Sequence, residues 1–219
     1  MAKPTTVNQL IKSYPLLSEQ MTKPRLSVIL RTLSETLSLP GNNGDIVEFG
    51  CYSGTTSVFI RRLLDSMNTP GQIIRTFHVY DSFSGLPAKS IKDASVIGTA
   101  FQAGELTATK RQLIKNFKQA GLKLPVVHKG WFSDLGETDL PPEIAFAFLD
   151  GDFYDSIMAS LELVWPRLNF QGLVVVDDYN RDQLPGVTRA INDFFGAKNQ
   201  SPILRHEQNL ALIRKNIKK

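Results

Sequence analysis

Val47-Glu48-Phe49-Gly50-Cys51-Tyr52-Ser53-Gly54 is an apolar run that ends on an acid and then turns on two glycines. Three later runs also end in carboxylates: Val79-Tyr80-Asp81-Ser82-Phe83, Ala147-Phe148-Leu149-Asp150-Gly151-Asp152 and Val174-Val175-Val176-Asp177-Asp178-Tyr179. In an open parallel sheet such strand ends share one edge, and ligands bind in the crevice outside it at the topological switch point. Four acid-tipped strands therefore predict a single site.

The first two tips suit a nucleoside cofactor. A Gly-x-x-x-Gly turn lets backbone approach a ligand closely, and a carboxylate ending the next strand accepts hydrogen bonds from a ribose diol. The last two suit a hard metal, because Asp150, Asp177 and Asp178 offer oxygen ligands of the kind Mg²⁺ takes. Cofactor and metal at one sheet edge predict an enzyme.

Around these tips the chain alternates strands and helices. Apolar spacing predicts helices over Val7 to Tyr14 and Leu16 to Leu37, in which Leu26, Ile29, Leu30, Leu33 and Leu37 share a face. Pro40-Gly41-Asn42-Asn43-Gly44 turns the chain into the first strand, and Thr55 to Met67 reads as the helix after the glycine turn. Strands are expected at 73–80, 125–128, 144–149 and 173–176, and helices at 106–120, 156–165 and 187–195. Ile203 to Glu207 and Leu210 to Arg214 read as a closing hairpin. This order predicts a doubly wound, Rossmann-like, mostly parallel seven-stranded α/β sheet with an antiparallel C-terminal hairpin and N-terminal helices before it. Residues 84–105 carry Gly, Pro, Ser and Lys without periodicity. A connection of that length predicts an active-site lid or a disordered loop.

Composition points to a plain container for the site. With 219 residues, 42% hydrophobic and 21% charged, the chain suffices for one domain over residues 1–219, its first 40 residues supplying the N-terminal helices. The net charge of +4 gathers partly at the ends, in Lys3, Lys12 and Lys23 and in Arg214, Lys215, Lys218 and Lys219. That is a frayed basic tail rather than the aromatic-laced stripe of a nucleic-acid binder. Cys51 is the single cysteine, so no intrachain disulfide can form, and no base stands near it in sequence to make it a nucleophile. Without an apolar run of spanning length or a signal-peptide core, a cytoplasmic protein with no membrane partner is expected.

The ordered set of motifs adds a resemblance. Val47-Glu48-x-Gly50, Asp81-Ser82-Phe83-x-Gly85-Leu86-Pro87, Gly104-Glu105-Leu106, Gly130-Trp131-Phe132-x-Asp134, Leu149-Asp150-Gly151-Asp152-x-Tyr154-x-Ser156 and Asp177-Asp178-Tyr179 resemble the macrocin O-methyltransferase (TylF/MycF) family of class I S-adenosylmethionine-dependent methyltransferases. The resemblance implies methyl transfer from S-adenosyl-L-methionine to a hydroxyl of a small molecule, typically a sugar of a secondary metabolite, with Mg²⁺ at the acceptor and a homodimer as the usual assembly. It places Glu48, Gly50 and Gly54 on the methionine side of the cofactor, Asp81 on the ribose and Gly130-Trp131 beside the adenine. Phe49, Tyr52, Thr55, Thr56, Ser82, Phe132 and Asp150 join them as cofactor-binding candidates. Asp150, Asp177 and Asp178 are the implied metal ligands, as in catechol- and caffeoyl-type enzymes, which usually have Asn at the last position.

A neutral alcohol attacks poorly, so a proton acceptor is expected. Asp150 ranks first, with Asp152 and His128 as alternatives. Competing structural readings exist for several of these residues: Asp177-Asp178 as helix caps, Trp131 and Phe132 as core aromatics, and His78 as a packed strand residue. A nicotinamide-dependent oxidoreductase would need Gly-x-Gly-x-x-Gly, which is absent here. An amino-group methyltransferase would carry Pro-Pro-aromatic where Asp150 stands, and a non-catalytic module has no use for three converging aspartates.

Overall fold

Seven strands form one sheet in the order β3-β2-β1-β4-β5-β7-β6. They are β1 (Asp45–Phe49), β2 (Phe77–Asp81), β3 (Val126–Lys129), β4 (Ile144–Leu149), β5 (Leu168–Val176), β6 (Ile203–Glu207) and β7 (Leu210–Arg214). The first five pair in parallel, while β7 runs antiparallel to both β5 and β6. The structure, a computed structural model, describes residues 6–67, 73–95, 97, 101–198, 200 and 202–216. The expected doubly wound sheet with its terminal hairpin is thus present. Strand order reverses between β1 and β4, which puts the crevice at the ends of the strands that carry Gly50 and Asp150.

Both faces of the sheet are covered, and strand alternation decides which residue goes where. Ile46, Val79, Phe146, Phe148 and Val175 pack under α1 (Val7–Ser13), α2 (Lys23–Leu37), α3 (Thr55–Met67) and α4 (Lys110–Gln119). Val47, Phe49, Ala147, Leu149, Val174 and Val176 pack under α5 (Tyr154–Val164) and α6 (Pro185–Ala197). Glu48 shares the phase of Ile46, so it is driven into the first layer, where it is fully buried.

Element boundaries differ from the sequence reading for local reasons. The helix expected from Leu16 starts at Lys23, because the Thr22 hydroxyl accepts the Arg25 N–H and Pro24 occupies the first turn, where its missing N–H costs nothing. The helix expected from Leu106 starts at Lys110, capped by Thr109. β2 covers Phe77–Asp81 rather than 73–80, and β5 is longer than 173–176, beginning at Leu168.

The 84–105 connection carries specific hydrogen bonds where it is described. Residues 96 and 98–100 lie outside the described residues. The two ends of the connection are tied by Leu86 N–H to Glu105 O and Gly104 N–H to Leu86 O, each 2.9 Å. A 3₁₀ turn at Ile91–Asp93 is latched to the helical layer. Buried Asp93 accepts the Tyr154 N–H at 2.7 Å and the Ser90 N–H and hydroxyl at 2.9 Å, while Arg189 donates to the Lys92 and Ala94 carbonyls.

Candidate active site

A cleft of about 840 Å³, counted to its open mouth, lies at the reversal point. Gly50 and Tyr52 from the β1 turn, Asp81 and Ser82 from β2, Trp131 and Phe132 after β3, Asp150 and Asp152 after β4, and Asp177 and Asp178 after β5 all line it. Three of the four acid tips, at Asp81, Asp150 and Asp177, converge there; the acid of the first tip, Glu48, does not line the cleft, which corrects the expectation for that strand.

The glycines have packing reasons that the sequence does not announce. A Cβ on Gly50 would collide with the Asp150 carbonyl oxygen and sit 2.9 Å from its carbon, and the backbone is left-handed at φ +83°. A Cβ on Gly54 would meet the Leu113 side chain. Gly50 thus lets β1 and β4 close together as well as baring backbone to the cleft.

Asp81 organises the turn. One of its oxygens accepts the Cys51 and Tyr52 N–H groups at 2.8 and 3.1 Å, and the other accepts the Phe83 N–H at 2.7 Å. A carboxylate has about four lone-pair sites, so one acceptor position remains for a ligand. Tyr52, Phe83, Asp152 and Asp178 all hold left-handed backbone, at φ 48°, 53°, 60° and 55°. Such strain concentrates at functional sites.

The acidic floor contains cations that sequence reasoning missed. Ligand oxygens of Asp150, Asp177 and Asp178 lie within 4.8 Å of one another. Arg25, from the first turn of α2, forms an ion pair with Asp177 and reaches Asp178 at 3.1 Å, and Arg181 reaches Asp178 at 2.8 Å. Among the described residues no ion pair reaches Asp150. Burial first, and then the neighbouring acids, pushes Asp150 well above the carboxylate range, Asp152 up to about 8 and Asp177 up to about 6. Arg181, three residues after Asp178, is a local pairing that the sequence hints at. Arg25 had no sequence signal, being far along the chain and hidden in a helix start.

Asp177-Asp178 do not cap α6. That helix begins only at Pro185, while Asp177 accepts the Asp178 N–H at 2.9 Å. Trp131 is 38% exposed and stands at the cleft wall, so it is not a core residue.

Other expected site residues sit apart from the cleft. Phe49 is buried, with its ring stacked on Tyr80 and edge-on to the cleft residue Phe132. Thr55 and Thr56 are buried at the start of α3, where Thr55 contacts the Ser18 hydroxyl at 3.1 Å, and the Gly130 N–H donates to the Asp81 carbonyl. Glu48 is buried in β1 and does not line the cleft; neither carboxylate oxygen finds a hydrogen-bond partner among the described residues, and burial pushes it up to about 8. His128 is not brought to the aspartates. Its ring stacks on Tyr80 and its Nε2 lies 3.2 Å from His78 Nδ1. His78 is the packed strand residue expected, with Nε2 3.5 Å from Asp45. Phe101 from the 84–105 connection and Gln20 before α2 line the cleft without having been singled out, and Leu106, singled out only within a motif, lines it too.

A family model for macrocin-O-methyltransferase (TylF) matches residues 6–214. The chain belongs to that family. An 8-demethyl-8-(2,3-dimethoxy-alpha-L-rhamnosyl)-tetracenomycin-C 4'-O-methyltransferase of Streptomyces olivaceus is 33% identical over 74% of this chain and 62% of its own length. The mycinamicin III 3''-O-methyltransferase of Micromonospora griseorubida is 27% identical over 84% of this chain and 72% of its own. The chain therefore spans less than two thirds of the first of these macrocin-family relatives. Among solved structures, the O-methyltransferase NovP superposes with a TM-score of 0.73 at 25% identity, covering 89% of this chain and 81% of NovP. A calicheamicin methyltransferase shares the fold, with a TM-score of 0.70 at 20% identity over 95% of this chain and 89% of its own. No helix among the described residues is long and apolar enough to cross a membrane.

Proposed function

We propose that this chain transfers the methyl group of S-adenosylmethionine to a hydroxyl of a sugar or other secondary metabolite, with Mg²⁺ held by Asp150, Asp177 and Asp178. The observation that carries the reading is the convergence of Asp81 and the three aspartates on one cleft in a chain of this family. The donor set fits both groups. Asp81 keeps one free acceptor position for a ribose hydroxyl, and Gly50 and Gly151 present bare backbone to the cleft. Three convergent carboxylates are hard oxygen donors of the kind Mg²⁺ takes.

The cofactor supplies an electrophilic methyl group, and the cation lowers the pKa of the acceptor hydroxyl. The chain does the rest. Trp131 and Phe132 offer an aromatic wall, and Asp81 fixes both the glycine turn and the nucleoside. Phe101 and Leu106 add apolar side chains to the cleft lining, which would limit the water near the reacting atoms. Holding oxygen, methyl and sulfur in line accounts for most of the acceleration, about 7–11 kcal/mol when two reactants are well oriented. Asp150 ranks first as the group that takes the hydroxyl proton and Asp152 second, since both face the cleft.

The test is transfer of labelled methyl from S-adenosylmethionine to a panel of glycosylated natural products and phenols, with and without EDTA. Labelled product that vanishes with EDTA and returns with Mg²⁺ supports the reading. Full turnover in EDTA would remove the metal, and no transfer to any hydroxyl would remove the activity.

A further inference from the structure

The acidic floor of the cleft already holds a cation, and that cation belongs to the chain. Arg25 projects from the first turn of α2 with its side chain only 14% exposed, onto Asp177 and Asp178 at 4% and 7%. One terminal nitrogen, Nη2, serves both carboxylates, while Nη1 lies 3.5 Å from the Gln20 carbonyl oxygen. Gln20 itself lines the cleft. The guanidinium therefore links the acidic cluster to the stretch of chain that enters α2. It sits on two of the three carboxylates that a divalent ion would need, and Mg²⁺ tolerates few departures from octahedral oxygen coordination. A guanidinium seated on Asp177 and Asp178 therefore competes with a divalent ion for the same buried carboxylates.

This inference rests on the metal reading given above. We propose that Arg25 is a resident counter-cation that a divalent ion must displace, so that metal loading frees the Gln20–Arg25 segment at the cleft wall. Arg25 keeps the metal-free fold from burying unpaired carboxylates, which is costly when one partner of a buried pair is lacking. By linkage, whatever favours the arginine-paired state weakens the ion by the same factor.

The experiment titrates Mn²⁺ by electron paramagnetic resonance into the wild-type chain, Arg25→Gln, Arg25→Lys and Arg181→Gln, with amide hydrogen exchange on the wild type. Removing the competitor should tighten Mn²⁺ at least about tenfold in Arg25→Gln. Arg25→Lys keeps the charge but loses the planar fork, so it should tighten Mn²⁺ by about threefold, and it stands in if the glutamine variant does not fold. Arg181 is 37% exposed and, among the described residues, its one ion pair is with Asp178, so Arg181→Gln should move affinity by less than about threefold. Saturating Mn²⁺ should speed exchange at residues 14–25. Equal or weaker Mn²⁺ binding in both Arg25 variants would overturn the proposal while leaving the metal site standing. Equal tightening by Arg181→Gln would also overturn it, since the effect would then be general charge. No Mn²⁺ binding by any of the four proteins would remove the metal reading and this inference together.

Discussion

Gly50 shows how one residue serves both packing and site. Its missing Cβ lets the β1 turn lie against the Asp150 carbonyl, and its left-handed φ is a conformation that L side chains rarely adopt. Gly50→Ala should therefore cost about 3 kcal/mol or more, since the obstruction is backbone and cannot swing away. At about 2–4 °C per kcal/mol for a chain of this size, Tm should fall by roughly 6–12 °C in a calorimetric scan. A second residue makes a prediction in pH. Glu48 is pushed from its ordinary 4.5 up to about 8 by burial, so between those values the native state holds a proton that the unfolded chain has released. Stability must then fall as pH rises through that window and level off above it, by about 1.4 kcal/mol per pH unit at most for this group. Glu48→Gln never ionises, so its Tm should exceed that of the wild type at pH 8.5 and lose the advantage at pH 5. Parallel Tm curves for the two proteins across that range would contradict the assignment.

At the scale of elements, the 84–105 connection, proposed as the lid, is held by few contacts with large leverage. Asp93 pins its 3₁₀ turn to the first residue of α5, and Gly186 at the start of α6 leaves room for that carboxylate, because a Cβ there would collide with it. Asp93→Ala removes three hydrogen bonds to a charged acceptor, each worth about 1.5–3 kcal/mol at most. Much of that loss should appear as local opening rather than global unfolding. Amide exchange in residues 84–97 should accelerate by at least about tenfold while β4 and β5 stay protected. Gly186→Ala should reproduce the pattern by displacing Asp93. An unchanged exchange profile in both variants would mean that the lid is held by its ends at Leu86 and Gly104 instead.

For the whole molecule, the two sheet faces differ in what they contribute. The α5–α6 layer is a largely apolar core that buries Asp93 at the start of both helices, whereas the α1–α4 side delivers Arg25 and Gln20 to the cleft and buries Glu48. Ligand binding should therefore report on the global transition. S-adenosylhomocysteine at a hundredfold its Kd adds about 2.7 kcal/mol, which raises Tm by roughly 5–10 °C for a chain of this size. Asp81→Ala should abolish that rise, and should also lower the ligand-free Tm, because the Cys51 and Tyr52 N–H groups of the glycine turn and the Phe83 N–H after β2 lose their acceptor.

What the sequence alone determined is local or repeated: the alternation of strands and helices, the terminal hairpin, and the strand tips at Asp81, Asp150 and Asp177, whose carboxylates had to meet once the strands were parallel, whereas Glu48 of the first tip went into the core. Residues 47–54 and the aspartate pairs were legible because strand direction alone sends them to one edge. The start of α2 was legible in principle, since Thr22 and Pro24 carry the capping chemistry, but apolar spacing in residues 16–22 masked it. Only the tertiary structure decided which charges the aspartates face. Arg25 lies far from Asp177 in sequence, and its pairing follows from how α2 packs across β4 and β5, a long-range consequence of the buried Leu26, Ile29, Leu30 and Leu33 stripe. The same holds for His128, which strand order alone left near the site. Stacking on Tyr80 and the hydrogen bond with His78 hold it on the β2–β3 face, away from the aspartates.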